Sequence, residues 1–165
     1  MNWYVLFVLT QYEDQICRYI KDSQIHIFSA KYEHYRRDKD CIEIKSLFPG
    51  YLFVKTNMNQ MEFNDWLNKL NHRKGIIKQL SYTSISALKD EEIKMFDLLL
   101  DDMGVLRMSS GYFDNKKLVI CSGPLVGFDD YIVKYDKRNK EARLCLHFIE
   151  QSWKAGVEVI EKKED

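Results

Sequence analysis

Five basic residues lie within a ten-residue stretch in the last third of the sequence, where Asp136 and Glu141 are the only acidic residues. Tyr131 and Tyr135 lie beside them. Lysine and arginine attract a phosphate backbone, and aromatic rings can stack on bases, so this composition is typical of an RNA-binding surface. A solvent-exposed turn explains the pattern equally well. The candidate RNA-binding residues are Lys134, Lys137, Arg138, Lys140 and Arg143, and Lys116 and Lys117 extend the set.

Two smaller basic clusters precede this one. Arg36, Arg37 and Lys39 occupy a charged turn between two strand-like segments, and Arg73 and Lys74 come just before another strand. Basic residues at loop tips position a nucleic-acid backbone without reading its sequence. The clusters therefore predict either DNA contacts or an ordinary solvated surface.

No motif in the sequence predicts catalysis. The phosphate-binding loop, the dinucleotide-binding glycine pattern, the zinc-protease histidine pair and the serine nucleophile motif are all missing. The four histidines are isolated, and the four cysteines form no closely spaced pair. We expect neither enzymatic activity nor a metal or cofactor.

Composition indicates a globular protein. Apolar residues make up 45% of the 165 positions, and the 25 basic residues balance the 25 acidic residues. With no net charge to attract nucleic acid, any such contact must come from local patches. The first apolar run is too short for a signal peptide or a membrane span, so we expect a cytoplasmic protein with no membrane contact. A monomer is expected.

The first hundred residues alternate between strand and helix patterns. The predicted order, β-α-β-β-α-β-α, is that of a ferredoxin-like α/β sandwich with one extra helix. Trp3 begins a buried strand, and Pro49-Gly50 forms a turn into another. Strands are predicted at 3–9, 51–54 and 75–80, a long hairpin that counts once in this order at 25–35 and 41–45, and helices from about 11 to 20, 61 to 70 and 88 to 100.

Residues 116–159 contain only short strand patterns and turns, which predicts a small β-barrel. Its central turn is Ser122-Gly123-Pro124-Leu125-Val126-Gly127, in which glycine permits a positive φ. Residues 104–115 lack clear periodicity and are predicted to be a linker. The predicted organisation is an α/β domain at 1–103, a linker at 104–115 and a barrel at 116–165, an α+β fold overall.

Two motifs resemble those of one family. Phe48-Pro49-Gly50-Tyr51-Leu52-Phe53-Val54 is similar to the signature of the N-terminal (NGN) domain of the NusG family of transcription elongation factors, and Gly123-Pro124-Leu125-Val126-Gly127 resembles that family's KOW motif. The opening Trp3-Tyr4-Val5 and Gly75 fall where the family has them. The family usually has glycine where this chain has Asp130, a residue that tolerates the left-handed conformation.

This resemblance implies a binding function. In such N-terminal domains a hydrophobic pocket grips the clamp helices of the largest RNA polymerase subunit. Carried over by position, the pocket residues are Phe7, Phe48, Tyr51 and Tyr82. Aromatic residues suit a binding anchor, but an aromatic residue in a strand also commonly packs in the core. The basic turns match the face that contacts upstream or nontemplate DNA.

Within the family, the short linker and the basic hairpin look most like the specialised bacterial paralogs of the LoaP type. The resemblance then implies an antiterminator that takes instruction from a structured leader RNA and promotes readthrough of terminators in particular operons. Two alternatives stay open at this point. One is a general elongation factor whose barrel binds a protein partner, and the other is a KOW-type RNA-binding protein without polymerase contact.

Overall fold

The structure is a computed structural model that describes residues 1–71, 73–80, 88–148 and 151–161, with only the backbone described at 147 and 148. The chain divides into two compact units that are both discontinuous in sequence. The first unit comprises Met1–Ala30 and Phe48–Phe96, and the second comprises Lys31–Leu47 and Asp97–Asp165. The hairpin that interrupts the first half of the chain therefore groups with the C-terminal half.

The described part of the chain contains helices and strands in mixed order. In chain order they are β1 (Asn2–Val8), α1 (Glu13–Tyr19), β2 (Ile25–Phe28), β3 (Lys31–Arg36), β4 (Cys41–Ser46), β5 (Tyr51–Thr56), α2 (Gln60–Asn68), β6 (Ile76–Gln79), α3 (Asp90–Leu99), β7 (Val105–Leu106), β8 (Ser109–Asp114), β9 (Lys117–Ser122), β10 (Ile132–Asp136), β11 (Glu141–Phe148) and β12 (Gln151–Val159).

The first unit is built on a four-stranded antiparallel sheet in the order β2-β5-β1-β6. Apart from the inserted β3–β4 hairpin, its connectivity is the predicted β-α-β-β-α-β order. One face of the sheet carries Tyr4, Leu6 and Val8, which pack against α1 and α2. The opposite face carries Trp3, Val5 and Phe53, and Phe96 of α3 covers it.

Helix α2 begins where side chains satisfy its free N–H groups. At α2, the Asn59 side chain accepts a hydrogen bond from the Glu62 N–H at 2.9 Å, and the Glu62 carboxylate accepts one from the Asn59 N–H at 3.3 Å. This reciprocal pair is a capping box. Among the residues that the structure describes, no helix is long and apolar enough to cross a membrane.

The second unit contains a three-stranded sheet in the order β4-β3-β7. The sequence predicts one strand over residues 25–35, but the chain forms two strands there that belong to different sheets. Phe28 pairs with Phe53, whereas Lys31 pairs with Val105. The prediction was wrong because both strands are rich in aromatic and β-branched residues, and that local pattern does not identify the pairing partner.

A five-stranded sheet forms the rest of the second unit, in the order β10-β11-β12-β8-β9. We call it the C-terminal sheet. Its core includes Leu118, Leu125, Leu144, Trp153 and Val157, each at most 6% exposed. Its closure into the predicted barrel stays a prediction.

The predicted linker at 104–115 is instead largely strand. Val105 and Leu106 form β7, and Ser109–Asp114 form β8, which runs parallel to β12 and antiparallel to β9. The segment lacks an apolar pattern because small residues fill its buried positions. Ser109 is 1% exposed, and a side chain at Gly111 would collide with the Val119 carbonyl oxygen.

The Gly-Pro turn after β9 packs tightly against β8. Gly123 has φ +99°, and a Cβ atom there would lie 2.6 Å from the Ser109 Cα. The Leu125 N–H donates to the Ser109 hydroxyl at 3.0 Å. Asp130 does not take the left-handed conformation that the resemblance implies, because it lies in a short 3-10 turn at 129–131 and its carboxylate pairs with Lys117 at 2.8 Å.

Candidate binding surfaces

An aromatic pair lies at one end of the sheet in the first unit. Phe7 of β1 and Tyr51 of β5 are directly opposite in the strand register, with ring centroids 5.4 Å apart. Both side chains are partly exposed, whereas Val5 and Phe53, the neighbouring pair on the same face, are fully buried. Rings that combine partial exposure with a fixed orientation can serve as binding anchors.

The turn before β5 holds Tyr51 in place. Gly50 has φ +90°, a conformation that glycine adopts without strain. The Gly50 N–H donates to the Glu13 carboxylate at 3.2 Å, and the Gly50 carbonyl accepts a hydrogen bond from the Val8 N–H at 2.8 Å. The Pro-Gly turn is therefore tied to both α1 and β1, which orients the aromatic pair.

Phe48, another predicted pocket residue, does not join this pair at the surface. Phe48 is 1% exposed and packs against Phe53 and Phe96, with ring centroids 6.3 Å and 6.2 Å away. It belongs to the core beneath this face. Tyr82 lies outside the described residues.

Lys78 is a candidate that the sequence analysis missed. It lies on β6 directly opposite Phe7, so Tyr51, Phe7 and Lys78 form one row across three neighbouring strands. Opposite residues in a ladder share a face of the sheet. The Lys78 side chain is exposed. We call Tyr51, Phe7 and Lys78 the aromatic row. The sequence alone does not show that Lys78 belongs to this row, because 27 positions separate it from Tyr51 and only the strand register brings them together.

The predicted DNA-binding residues are divided between the two units. Arg73 and Lys74 are exposed in the first unit, with the Lys74 ammonium 5.5 Å from the Tyr12 ring centroid. Arg36, Arg37 and Lys39 lie at the β3–β4 turn in the second unit. There the Arg36 guanidinium pairs with Asp38 at 2.9 Å, which raises the pKa of Arg36 and lowers that of Asp38. Arg37 and Lys39 are exposed.

Two of the predicted RNA-binding residues belong to a row of three cations on the C-terminal sheet. Lys134, Arg143 and Lys154 lie opposite one another on β10, β11 and β12, and all three are exposed. We call them the basic row. Like charges opposite one another destabilise a sheet, and a bound phosphate backbone would relieve the repulsion. Lys154 was missed because its sequence neighbours are not basic.

The remaining predicted RNA-binding residues lie in or next to two turns. Lys137 and Arg138 are exposed between β10 and β11, and the Lys140 ammonium pairs with Glu158 at 3.0 Å. Lys116 lies between β8 and β9, and Lys117 is the first residue of β9, where Asp130 pairs with it and raises its pKa. Lys117 is thus partly neutralised in this state of the protein.

Two aromatic rings near these cations, those of Tyr135 and Phe113, already make contacts within the protein. Tyr135 donates its hydroxyl to the Val157 carbonyl at 2.7 Å, and burial is the main reason that its pKa rises to about 12. Phe113 lies 5.9 Å from the Tyr135 ring and 5.1 Å from the Lys137 ammonium. Tyr135 therefore offers little free ring surface to a stacked base, whereas Tyr131, the other tyrosine near these cations, is exposed.

The first unit thus presents a partly exposed aromatic pair and the exposed Arg73 and Lys74, and the second unit presents a row of exposed cations. Residues 1–97 match the family model described as NusG, "Transcription termination factor nusG". The match covers more than half of the chain, so the protein belongs to the NusG family. None of the curated proteins matches the chain.

Family membership indicates the general function of the protein. NusG family proteins are transcription factors rather than enzymes, they act in elongation, and they generally bind RNA polymerase. The sequence-based prediction of a NusG-family elongation factor with an α+β fold is confirmed at that level.

Proposed function

We propose that the protein is a transcription antitermination factor that binds elongating RNA polymerase through its first unit. The aromatic row carries this proposal. It presents two oriented rings within the segment that matches the NusG family, and an exposed lysine extends the row. The partner is the clamp-helix tip of the largest polymerase subunit, which would place an apolar side chain on Phe7 and Tyr51.

The second unit acts as a KOW-type RNA-binding module. The basic row provides three exposed cations in register, and its ligand is a structured leader RNA. Arg73 and Lys74 in the first unit contact nontemplate DNA through its phosphate backbone. With these contacts, the protein promotes readthrough of terminators in the operons that carry such leaders.

Crosslinking of the tagged protein across the genome, compared with RNA polymerase in the same cells, tests this function. We expect signal on one or a few long operons that begins downstream of their leaders. Signal that tracks polymerase on most genes would instead identify a general elongation factor. Signal on no transcribed gene would leave only an RNA-binding protein.

Purified components test the polymerase contact directly. A Phe7→Ser, Tyr51→Ser double variant should lose binding to elongating polymerase, because both rings leave the surface. Lys69→Gln is the matched control, since Lys69 is exposed at the end of α2 on the opposite side of the sheet. Equal binding by the double variant and the native protein would contradict the proposed anchor.

A further inference from the structure

Two basic turns of the second unit lie side by side. One joins β3 to β4 and spans residues 36–40, and the other joins β10 to β11 and spans residues 136–140. The Lys140 ammonium lies 4.3 Å from the centroid of the Tyr35 ring, and the Tyr35 hydroxyl donates to Asp40 at 2.6 Å. We call residues 36–40 the hairpin turn and residues 136–140 the sheet turn. Although they are distant in sequence, they meet through this cation–π contact.

The contact between β3 and the C-terminal sheet continues away from the turns. The Glu141 carboxylate accepts a hydrogen bond from the Tyr32 hydroxyl at 3.1 Å and lies 3.2 Å from the His34 Nδ1. On β12, Gly156 leaves room for the hairpin backbone, because a Cβ atom there would lie 2.5 Å from the Glu33 carbonyl oxygen. The hairpin turn is therefore held beside the sheet turn by a packed interface.

The acidic side chains in the two turns are occupied. Asp38 pairs with Arg36, and Asp40 accepts from Tyr35. Asp136 accepts hydrogen bonds from the Arg138 N–H at 3.0 Å and from the Asn139 side chain at 2.8 Å. Within the described part of the chain, three exposed cations of the turns have side chains that form no such pair, namely Arg37, Lys39 and Arg138. The Lys137 ammonium lies over the Phe113 ring.

The chemistry of this surface favours a duplex over a single strand. Single-stranded RNA is bound by stacking its bases on free aromatic rings. At the two turns Lys140 lies over Tyr35, and Phe113 and Tyr135 contact each other. The exposed Tyr131 precedes β10, at the end of that strand away from the sheet turn. A duplex hides its bases and presents backbone phosphates and 2′-hydroxyl groups, which cations on turns can contact without any stacking platform.

We propose that the hairpin turn and the sheet turn form one composite site that binds the phosphate backbone of a single double-stranded RNA stem. Arg37 and Lys39 contact the same stem as Lys137 and Arg138, so the hairpin turn is an RNA-binding element rather than a separate DNA contact. The inference rests on the proposed RNA-binding function of the second unit and adds the hairpin turn to it.

The test measures binding of the full chain to an RNA hairpin with a perfectly paired stem of about 16 base pairs, over a series of salt concentrations. One variant carries Arg37→Gln and Lys39→Gln, and another carries Lys137→Gln and Arg138→Gln. Each should weaken binding and make the slope of log affinity against log salt shallower by about 0.9 for every phosphate that the protein no longer neutralises. Lys21→Gln with Lys69→Gln makes the same change in net charge at exposed positions of the first unit and should leave both quantities unchanged.

A neutral variant separates position from charge. Tyr35→Leu removes the cation–π contact and the hydrogen bond to Asp40, so it should weaken RNA binding although the net charge is the same. Circular dichroism confirms that the variant still folds. Native affinity in a folded Tyr35→Leu variant would mean that the turns act independently.

The remaining outcomes distinguish this inference from the proposed function. If the hairpin-turn variant binds RNA normally while the sheet-turn variant does not, the composite site is overturned and the RNA-binding module stands. If neither variant differs from the native protein, the composite site is overturned, and RNA binding by the second unit fails as well only if a Lys134→Gln, Arg143→Gln variant of the basic row also binds normally. Two further results would also overturn the composite site. One is a hairpin-turn variant that loses affinity only for a DNA stem of the same sequence. The other is a native protein that binds single-stranded RNA more tightly than the paired stem.

Discussion

The Tyr32 hydroxyl donates a hydrogen bond to the Glu141 carboxylate at 3.1 Å, although 109 positions separate the two residues in the chain. Tyr32 is 4% exposed. This bond fastens the β3–β4 hairpin to the C-terminal sheet, so the second unit depends on a contact between distant parts of the sequence. A buried hydrogen bond to a charged group contributes more to stability than one between neutral groups.

Breaking this bond should destabilise the protein. Tyr32→Phe leaves the Glu141 carboxylate with one partner fewer, and we expect the free energy of unfolding to fall by about 2 kcal/mol. Urea denaturation measures the loss, and Tyr131→Phe at an exposed site is the control. A double-mutant cycle with Glu141→Gln should give a coupling energy of about 1 kcal/mol. Strictly additive effects would mean that the bond contributes nothing.

Stability should also fall at alkaline pH. Burial, and next the nearby Glu141 carboxylate, raise the pKa of Tyr32 well above its ordinary value, and Tyr135 reaches about 12. Because the folded state favours the neutral phenols, their contribution is complete below the unfolded pKa of about 10 and is lost as the pH rises through the folded values. Urea denaturation between about pH 9 and pH 12 measures this loss. The Tyr32→Phe, Tyr135→Phe variant should show a shallower decline, and an equal decline would count against this assignment.

The two glycines of the Gly-Pro turn should differ in their tolerance of alanine. At Gly123 a Cβ atom meets the Ser109 backbone, and φ is +99°, so Gly123→Ala should cost about 3 kcal/mol. At Gly127, φ is +88° but nothing lies within 4 Å of a Cβ atom, so Gly127→Ala should cost about 1 kcal/mol. Thermal unfolding of the two variants checks the order. Equal losses would show that close packing at Gly123 has no energetic role.

Phe48 and Tyr51 should give opposite phenotypes. Phe48 is a core residue, so Phe48→Ala should lower the free energy of unfolding by about 4 kcal/mol. Tyr51→Ala removes a partly exposed ring and should leave a folded protein that binds polymerase weakly. Unfolding and binding are measured on both variants. A stable Phe48→Ala protein with a specific binding defect would place Phe48 in the pocket itself.

Lys78 should contribute to polymerase affinity through its charge. Lys78→Glu puts a negative charge beside Phe7 and, if the partner presents a carboxylate there, should reduce affinity about tenfold. Lys69→Glu makes the same change at an exposed position beyond the opposite face of the sheet and is the control. Binding assays at low and high salt separate a charge effect from misfolding. Equal affinities for the two variants would restrict the anchor to the aromatic pair.

The sequence by itself determined the local structure and the family. Periodicity and turn chemistry located β1, β5 and β6 and the helices α1, α2 and α3, and the Phe48 to Val54 motif indicated the family that residues 1–97 match. These features depend on residues close together in the chain, where backbone propensity and apolar spacing act directly. The basic clusters could also be recognised in the sequence, because charge is a property of residue type.

Only the tertiary structure decided which residues meet. It buried Phe48, placed Lys78 beside Phe7, added Lys154 to the basic row, and made strands of a segment that reads as a linker. Each of these results depends on the register between strands that are distant in sequence. Periodicity shows which side of its own strand a residue occupies, but the long-range pairing determines what lies opposite it and what covers it.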